Sequence, residues 1–280
     1  MNIIKFLDEF TSENLTQKGA SRRDAFSTFS SLGKKAAIAA VPFGLATLSN
    51  KAKAATMFQT NEAVDALQLA LTLEYLEASF YLQALNSNVL DQDNTGMSTA
   101  IYEQISMHES AHVTLLEDTL VSLGETPVAE PTFDFTAGGA FDPFNTQGDA
   151  ATSYAQLLAL AQAFEDTGVR AYKGQAGALM GNDDLLTAAL QIHSVEARHA
   201  SEIRRLRGLK GWITQNQRGA GMPEATQAVY NGEENIDQAT IITTDLGDGS
   251  PFTLDAATEA YDEILTGDES VAIASLFIVS

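Results

Sequence analysis

Residues 105–116 read ISMHESAHVTLL and residues 192–203 read IHSVEARHASEI. In each, a glutamate is followed three residues later by a histidine: Glu109 by His112, and Glu196 by His199. Apolar residues recur around both pairs at helical spacing, Ile105 and Leu116 about the first and Ala189, Ile192 and Ile203 about the second. Residues three apart on a helix share a face one turn apart, so each pair can offer one carboxylate oxygen and one imidazole nitrogen to a single ion. With nineteen glutamates and four histidines in 280 positions, chance supplies roughly a quarter of one such match. Two occur, both in the middle of an otherwise apolar stripe.

Two further stripes accompany them. Residues 61–86 place Leu67, Ala70, Leu71, Glu74, Ala78, Tyr81 and Leu85 on one helical face, and a helix over Ala150–Met180 aligns Leu158, Ala161, Glu165, Val169, Tyr172 and Ala176. The helices with the Glu-x-x-His pairs are expected over Ser98–Leu123, stopped by Gly124, and over Asp183 to about Leu209. Glu74 precedes Tyr81 by seven residues, as Glu165 precedes Tyr172. The chain therefore runs twice through the same order, a helix with Glu-x6-Tyr and then a helix with Glu-x-x-His, offset by 91 residues for Glu74 to Glu165 and by 87 for Glu109 to Glu196. Such spacing points to internal duplication and a pseudo-two-fold site. Four ionised carboxylates converging in an apolar core would cost more than a domain's whole stability of ~5–15 kcal/mol unless protons or cations compensate them. Two divalent ions cancel four negative charges.

These residues resemble the ferritin-like superfamily of di-iron and di-manganese carboxylate proteins. In particular, LTLEYLEASFY (residues 71–81) and AFEDTGVRAY (residues 163–172) are similar to bacterial ferritin-like domain proteins related to desiccation-associated proteins. The resemblance covers about residues 60–210 and implies an all-α fold, a ferritin-like four-helix bundle with a long crossover between helices 2 and 3. It implies two iron ions, alternatively manganese, with Glu74 and Glu165 as terminal carboxylates, Glu109 and Glu196 as bridging ones, and His112 and His199 as nitrogen ligands. Tyr81 and Tyr172 would donate hydrogen bonds to the carboxylate across the bundle. The partners so implied are metal ions and dioxygen or peroxide. A homo-oligomer fits the fold, whereas a hollow storage shell would be obstructed by the long connection and the C-terminal residues.

That connection, residues 124–149, holds three prolines, four glycines and four phenylalanines without helical period. At more than about 15 residues it is long enough to cross the body of the protein, pinned by its phenylalanines. Gly168, Gly174 and Gly177 weaken the third helix locally and are expected to permit close helix contact. Glu77, off the stripe, is expected to be solvated. His108 and His193 are expected to be structural, with His193 the better extra ligand because it precedes Glu196 by three residues. Arg170 and Arg198 are expected to pair with surface acids, and Arg204, Arg205, Arg207 and Lys210 to complement the dipole at the end of the fourth helix.

Outside the bundle (residues 55–211) lie two other segments. Residues 1–54 contain Arg22-Arg23, the apolar run Ala36–Leu48 and Ala52-Lys53-Ala54. They resemble a twin-arginine export signal, implying a periplasmic or otherwise exported protein with no stable membrane span after processing. Residues 212–280 form a C-terminal extension with a short strand expected within residues 239–245 and a helical stretch over about Asp255–Ile278, packed outside the bundle. The net charge is −21, and residues 55–280 alone carry −25. Such a surface repels phosphate backbones, so no nucleic-acid partner is expected. Without cysteine, any metal must sit on oxygen and imidazole nitrogen. The function expected is Fe(II) oxidation or peroxide removal by a redox-active di-metal protein in the cell envelope; the alternative is a non-enzymatic, metal-stabilised structural or stress-protective protein.

Overall fold

Capping chemistry sets where the helices begin and end. In the computed structural model, which describes residues 61–146, 148–247 and 251–279, α1 spans Asn61–Asn86, α2 Met97–Leu123, α3 Ala150–Leu179 and α4 Asp183–Leu206. Gly124 stops α2 in the left-handed region (φ 84°), its N–H reaching the carbonyls of Leu120 and Val121, a conformation that favours glycine. Asp149 caps α3 by accepting from the Thr152 N–H. Asn182 caps α4 by accepting from the N–H groups of Asp184 and Leu185.

The 26-residue connection crosses the bundle. It leaves beside the N-terminal half of α1, where Gln68 donates to the Thr126 carbonyl and accepts from the Val128 N–H. It delivers α3 to the end where α2 began, since Tyr154 and Ser98 share a hydrogen bond of 2.6 Å. Phe133, Phe135, Phe141 and Phe144 join the core, and Phe135 packs edge-on against Phe80 at 5.2 Å between ring centroids. The chain is thus all-α apart from two-residue ladders. The segment expected to direct export, residues 1–54, lies outside the described residues. No helix among those described is long and apolar enough to cross a membrane.

The bundle interior divides into two apolar layers. One contains Phe80, Tyr81, Tyr102, Ile105, Leu157 and Phe164; the other contains Leu67, Leu71, Leu116, Leu120, Tyr172 and Ile192. The glutamates and histidines of the four stripes lie between them.

The C-terminal extension departs from expectation. Instead of one helical stretch over residues 255–278 it forms two short helices, α5 (Leu254–Thr258) and α6 (Gly267–Ala274), and ends in β4 (Ile278–Val279). β4 pairs antiparallel with β1 (Thr132–Phe133) of the crossing connection, Phe133 opposite Ile278. The strand expected within 239–245 is confined to β3 (Ile241–Ile242), paired with β2 (Asp237–Gln238) across Ala239 and Thr240, both at positive φ as a two-residue hairpin requires.

The interruption between α5 and α6 has a physical cause. The Leu265 N–H donates to the Arg170 carbonyl at 3.1 Å, and the segment lies so close to α3 that a Cβ on Gly174 would sit 1.9 Å from the Leu265 carbonyl oxygen. The close contact expected at Gly174 is therefore made by this non-helical segment and not by a helix. Arg170 is not paired at the surface: it is 1% exposed, lies 2.7 Å from the equally buried Glu233 and donates to the carbonyls of Val229, Asn231, Glu263 and Ile264. Arg204 does more than complement a dipole, since it pairs with buried Asp166 at 2.5 Å. Residues 157–172 of α3 are consequently buried on every side.

Gly174→Ala is expected to push residues 259–266 off α3 and destabilise the fold by roughly 1–3 kcal/mol. Chemical denaturation with hydrogen exchange of residues 254–279 checks this; unchanged exchange there would show that the close approach is dispensable.

Candidate metal centre

Each helix brings its stripe acid to the same level: Glu74 from α1, Glu109 and His112 from α2, Glu165 from α3, and Glu196 and His199 from α4. All four glutamates are fully shielded, and the two imidazoles nearly so. Their atoms fall into two overlapping sets, Glu74, Glu109, His112 and Glu196, and Glu109, Glu165, Glu196 and His199; within each set the donor atoms all lie within 4.8 Å of one another.

The pairing of oxygens is close to two-fold. His112 Nδ1 stands 3.1 Å from Glu74 Oε2, 3.0 Å from Glu109 Oε2 and 3.2 Å from Glu196 Oε1. His199 Nδ1 stands 2.8 Å from Glu109 Oε1, 3.3 Å from Glu165 Oε2 and 3.9 Å from Glu196 Oε2. Glu109 and Glu196 therefore turn one oxygen to each imidazole, whereas Glu74 and Glu165 each serve one. The second oxygen of each of these last two accepts a hydrogen bond from across the bundle: Tyr172 donates to Glu74 Oε1 at 2.5 Å and Tyr81 donates to Glu165 Oε1. The antiparallel course of α1 and α3 makes the Glu-x6-Tyr spacing reciprocal.

Five buried donor atoms have no hydrogen-bond partner among the described residues: Glu109 Oε1, Glu165 Oε2, both oxygens of Glu196, and His199 Nδ1. His199 Nδ1 and Glu109 Oε1 approach to 2.8 Å without hydrogen-bond alignment, as atoms do when both aim at a common third point. Ligand atoms held at about 2.1 Å from an ion and at right angles around it are separated by about 3 Å, the spacing found here. Buried polar groups are rarely left unsatisfied, so the donor set fits two metal ions sharing Glu109 and Glu196. Oxygen and imidazole nitrogen suit iron, manganese and similar ions alike.

The electrostatics carry the same strain. Burial pushes the Glu74 carboxyl up to about 7, and it raises Glu165 and Glu196 too, Glu196 with the help of the charges on Glu109 and Glu74. Burial also opposes a charged imidazole, but the surrounding carboxylates outweigh it, pushing His112 up to about 12 and His199 up to about 11. For Glu109, burial is overcome by the hydrogen bond from His112 and by the His199 imidazole close beside it, which hold it at about 2. Without cations, protons on the imidazoles and on some of the carboxyls supply the compensating charge.

Three residues depart from their expected places. Glu77 is not solvated: it is 2% exposed, and burial and the charge of Glu196 push its carboxyl well up. Of the extra histidines, His108 and not His193 reaches the site. His108 Nδ1 lies 2.9 Å from His199 Nε2 with the rings stacked, and this contact leaves His199 Nδ1 facing the carboxylates. His193 Nδ1 faces the Val169 carbonyl at 3.0 Å. Arg198 donates to the Ser194 carbonyl rather than to an acid. His108 and Arg198 line an open groove between α2 and α4 that reaches His112 and His199.

A family model described as Ferritin-like domain matches residues 62–209, a stretch that runs from the start of α1 to just beyond α4. The C-terminal extension lies beyond the match. No curated protein matches the sequence.

The shifts set a pH dependence for chelator-stripped protein. Glu74 binds a proton in the folded chain that the unfolded chain has lost, between about pH 4.5 and about 7, so stability falls as pH rises through that window. The raised imidazoles act in the same direction, their contribution being complete below about 6.5 and lost toward about 11 to 12. The depressed Glu109 contributes above about 4.5 and loses that contribution only as pH falls toward about 2. Stripped protein should therefore melt at a lower temperature at pH 8 than at pH 5, and added metal should raise the pH 8 value more. Equal melting of stripped protein at both values would contradict this electrostatic picture.

Proposed function

This chain belongs to the ferritin-like domain family, and on that premise we propose that it is a redox-active di-metal protein of the cell envelope that oxidises Fe(II) or removes peroxide. The observation that carries this reading is the convergence of five unpartnered, buried donor atoms on two sets of residues that share Glu109 and Glu196. A bound pair of iron or manganese ions supplies electron transfer toward dioxygen or peroxide.

The protein's own residues define the rest. Glu109 and Glu196 would be the ligands shared by the two ions, Glu74 and Glu165 would each serve one, and His112 and His199 would supply nitrogen. Tyr172 and Tyr81 fix the terminal carboxylates, each using the oxygen turned away from the imidazole. Apolar layers above and below exclude water, while the groove beside His108 gives ions and small oxidants a route from solvent. Export rests on Arg22-Arg23 and the apolar run Ala36–Leu48.

One observation favours the alternative, in which the ions are structural staples. α2 and α4 pack on each other far less than α3 on α4 or α1 on α2, and bridging ions would tie these two helices through Glu109 and Glu196.

Elemental analysis with anaerobic Fe(II) titration, followed by exposure to air or peroxide, separates the readings. Two metals per chain with rapid oxidation supports redox function; two metals without turnover supports the staple; no metal sinks both. Glu109→Ala should cost both sites most of their affinity, and a variant that still binds two ions at wild-type affinity would refute the shared-ligand assignment.

A further inference from the structure

The duplication that relates α1 to α3 is broken at one place inside the site. Ninety-one residues separate Glu74 from Glu165, and the same offset carries Glu77 onto Gly168. One half thus has an acid three residues after its stripe glutamate, and the other has no side chain at all. The space explains the difference: a Cβ on Gly168 would lie 3.2 Å from Glu77 Oε1 and 3.1 Å from Glu196 Oε2. Both carboxylate oxygens reach the small volume that glycine leaves open. Glu196 Oε2 has no hydrogen-bond partner, and both side chains are buried.

We propose that Glu77 is a fifth carboxylate beside the metal site, outside the two donor sets but facing Glu196 across the space opened by Gly168, and that its charge biases the site toward trivalent over divalent ions. The inference rests on the di-metal reading above and adds to it. Four carboxylates balance two divalent ions; two trivalent ions leave two positive charges uncompensated, and a fifth carboxylate cancels one of them. In a water-excluded interior that difference is felt strongly. Pairing Glu77 with glycine rather than with a second acid limits the excess to one charge when the ions are divalent.

The test compares full-length wild-type protein with Glu77→Gln, both loaded with iron under anaerobic conditions. Iron per chain is measured by elemental analysis and the midpoint potential by mediator-equilibrated titration, each Fe(III) taking one electron from the mediator. The glutamine is isosteric and removes a buried acid, so the fold should persist; far-ultraviolet circular dichroism checks this. The expected result is two irons in both proteins and at least a tenfold loss of Fe(III) relative to Fe(II) affinity in the variant, a rise of about 59 mV for a one-electron couple. Gly168→Ala, which keeps every acid but crowds Glu77 and Glu196, should shift the potential in the same direction. Two irons and an unchanged potential in Glu77→Gln would overturn the proposal. Wild-type protein that binds no metal would instead overturn the di-metal reading on which it rests.

Discussion

Everything in this bundle is arranged around the cost of holding carboxylates away from water. Glu74, Glu109, Glu165 and Glu196 are fully shielded, and an uncompensated charge in such surroundings shifts its equilibrium or unfolds its host. The structure supplies only partial relief: two tyrosine hydroxyls for the outer pair and two imidazoles for all four. The donor atoms converge in two overlapping sets, where bound cations would supply the compensating charge. The apolar layers on either side make the polar level expensive without compensating charge.

The duplicated order of helices explains why such a site can be built economically. One Glu-x6-Tyr helix set antiparallel to its copy makes each tyrosine serve the other's glutamate, and one Glu-x-x-His helix beside its copy makes each glutamate face both imidazoles. Function enters where the copies differ. Glu77 stands opposite Gly168, and His108, by the 87-residue offset, stands opposite Val195. The first difference adds charge on one side only; the second places an imidazole against His199 alone, at the groove between α2 and α4. Both differences fall on the side of the site where Glu196 Oε2 turns toward His199, so the near-symmetry of the scaffold is broken at one end of the donor cluster.

The sequence carried the site because each ligand pair lies on a single helix, and helical spacing is a local property. Glu109 with His112 and Glu196 with His199 are legible without knowing how the helices pack, and the crossing connection is legible from its length and its phenylalanines. Glu77 was not, since its burial depends on the missing side chain of Gly168, which only the packed bundle brings against it. The 91-residue offset that relates the two was nevertheless present in the sequence, and comparing the two halves position by position would have singled out the mismatch. His108 escaped for a similar reason: its contact with His199 depends on how far apart α2 and α4 stand. Apolar content over residues 255–278 suggested one helix, but residues 259–266 surrender helical hydrogen bonds to those they make with α3.

That surrender links the extension to the metal centre. In a bare four-helix bundle α3 would turn Ala159, Ala163, Asp166 and Arg170 to solvent; here Ala159 and Ala163 pack with Ile213, Met222, Val229, Tyr230 and Leu265, and Arg170 is bound by carbonyls of the extension and by Glu233. Asp166 and Arg170 flank Glu165 and the 167–169 turn that contains Gly168. Asp166 is held by both Arg204 of α4 and Tyr230 of the extension. The residues after α4 therefore clamp the stretch of α3 whose position sets both the Glu165 ligand and the space available to Glu77. That stretch is thus held by contacts outside the bundle as well as by the partners of its carboxylates inside it.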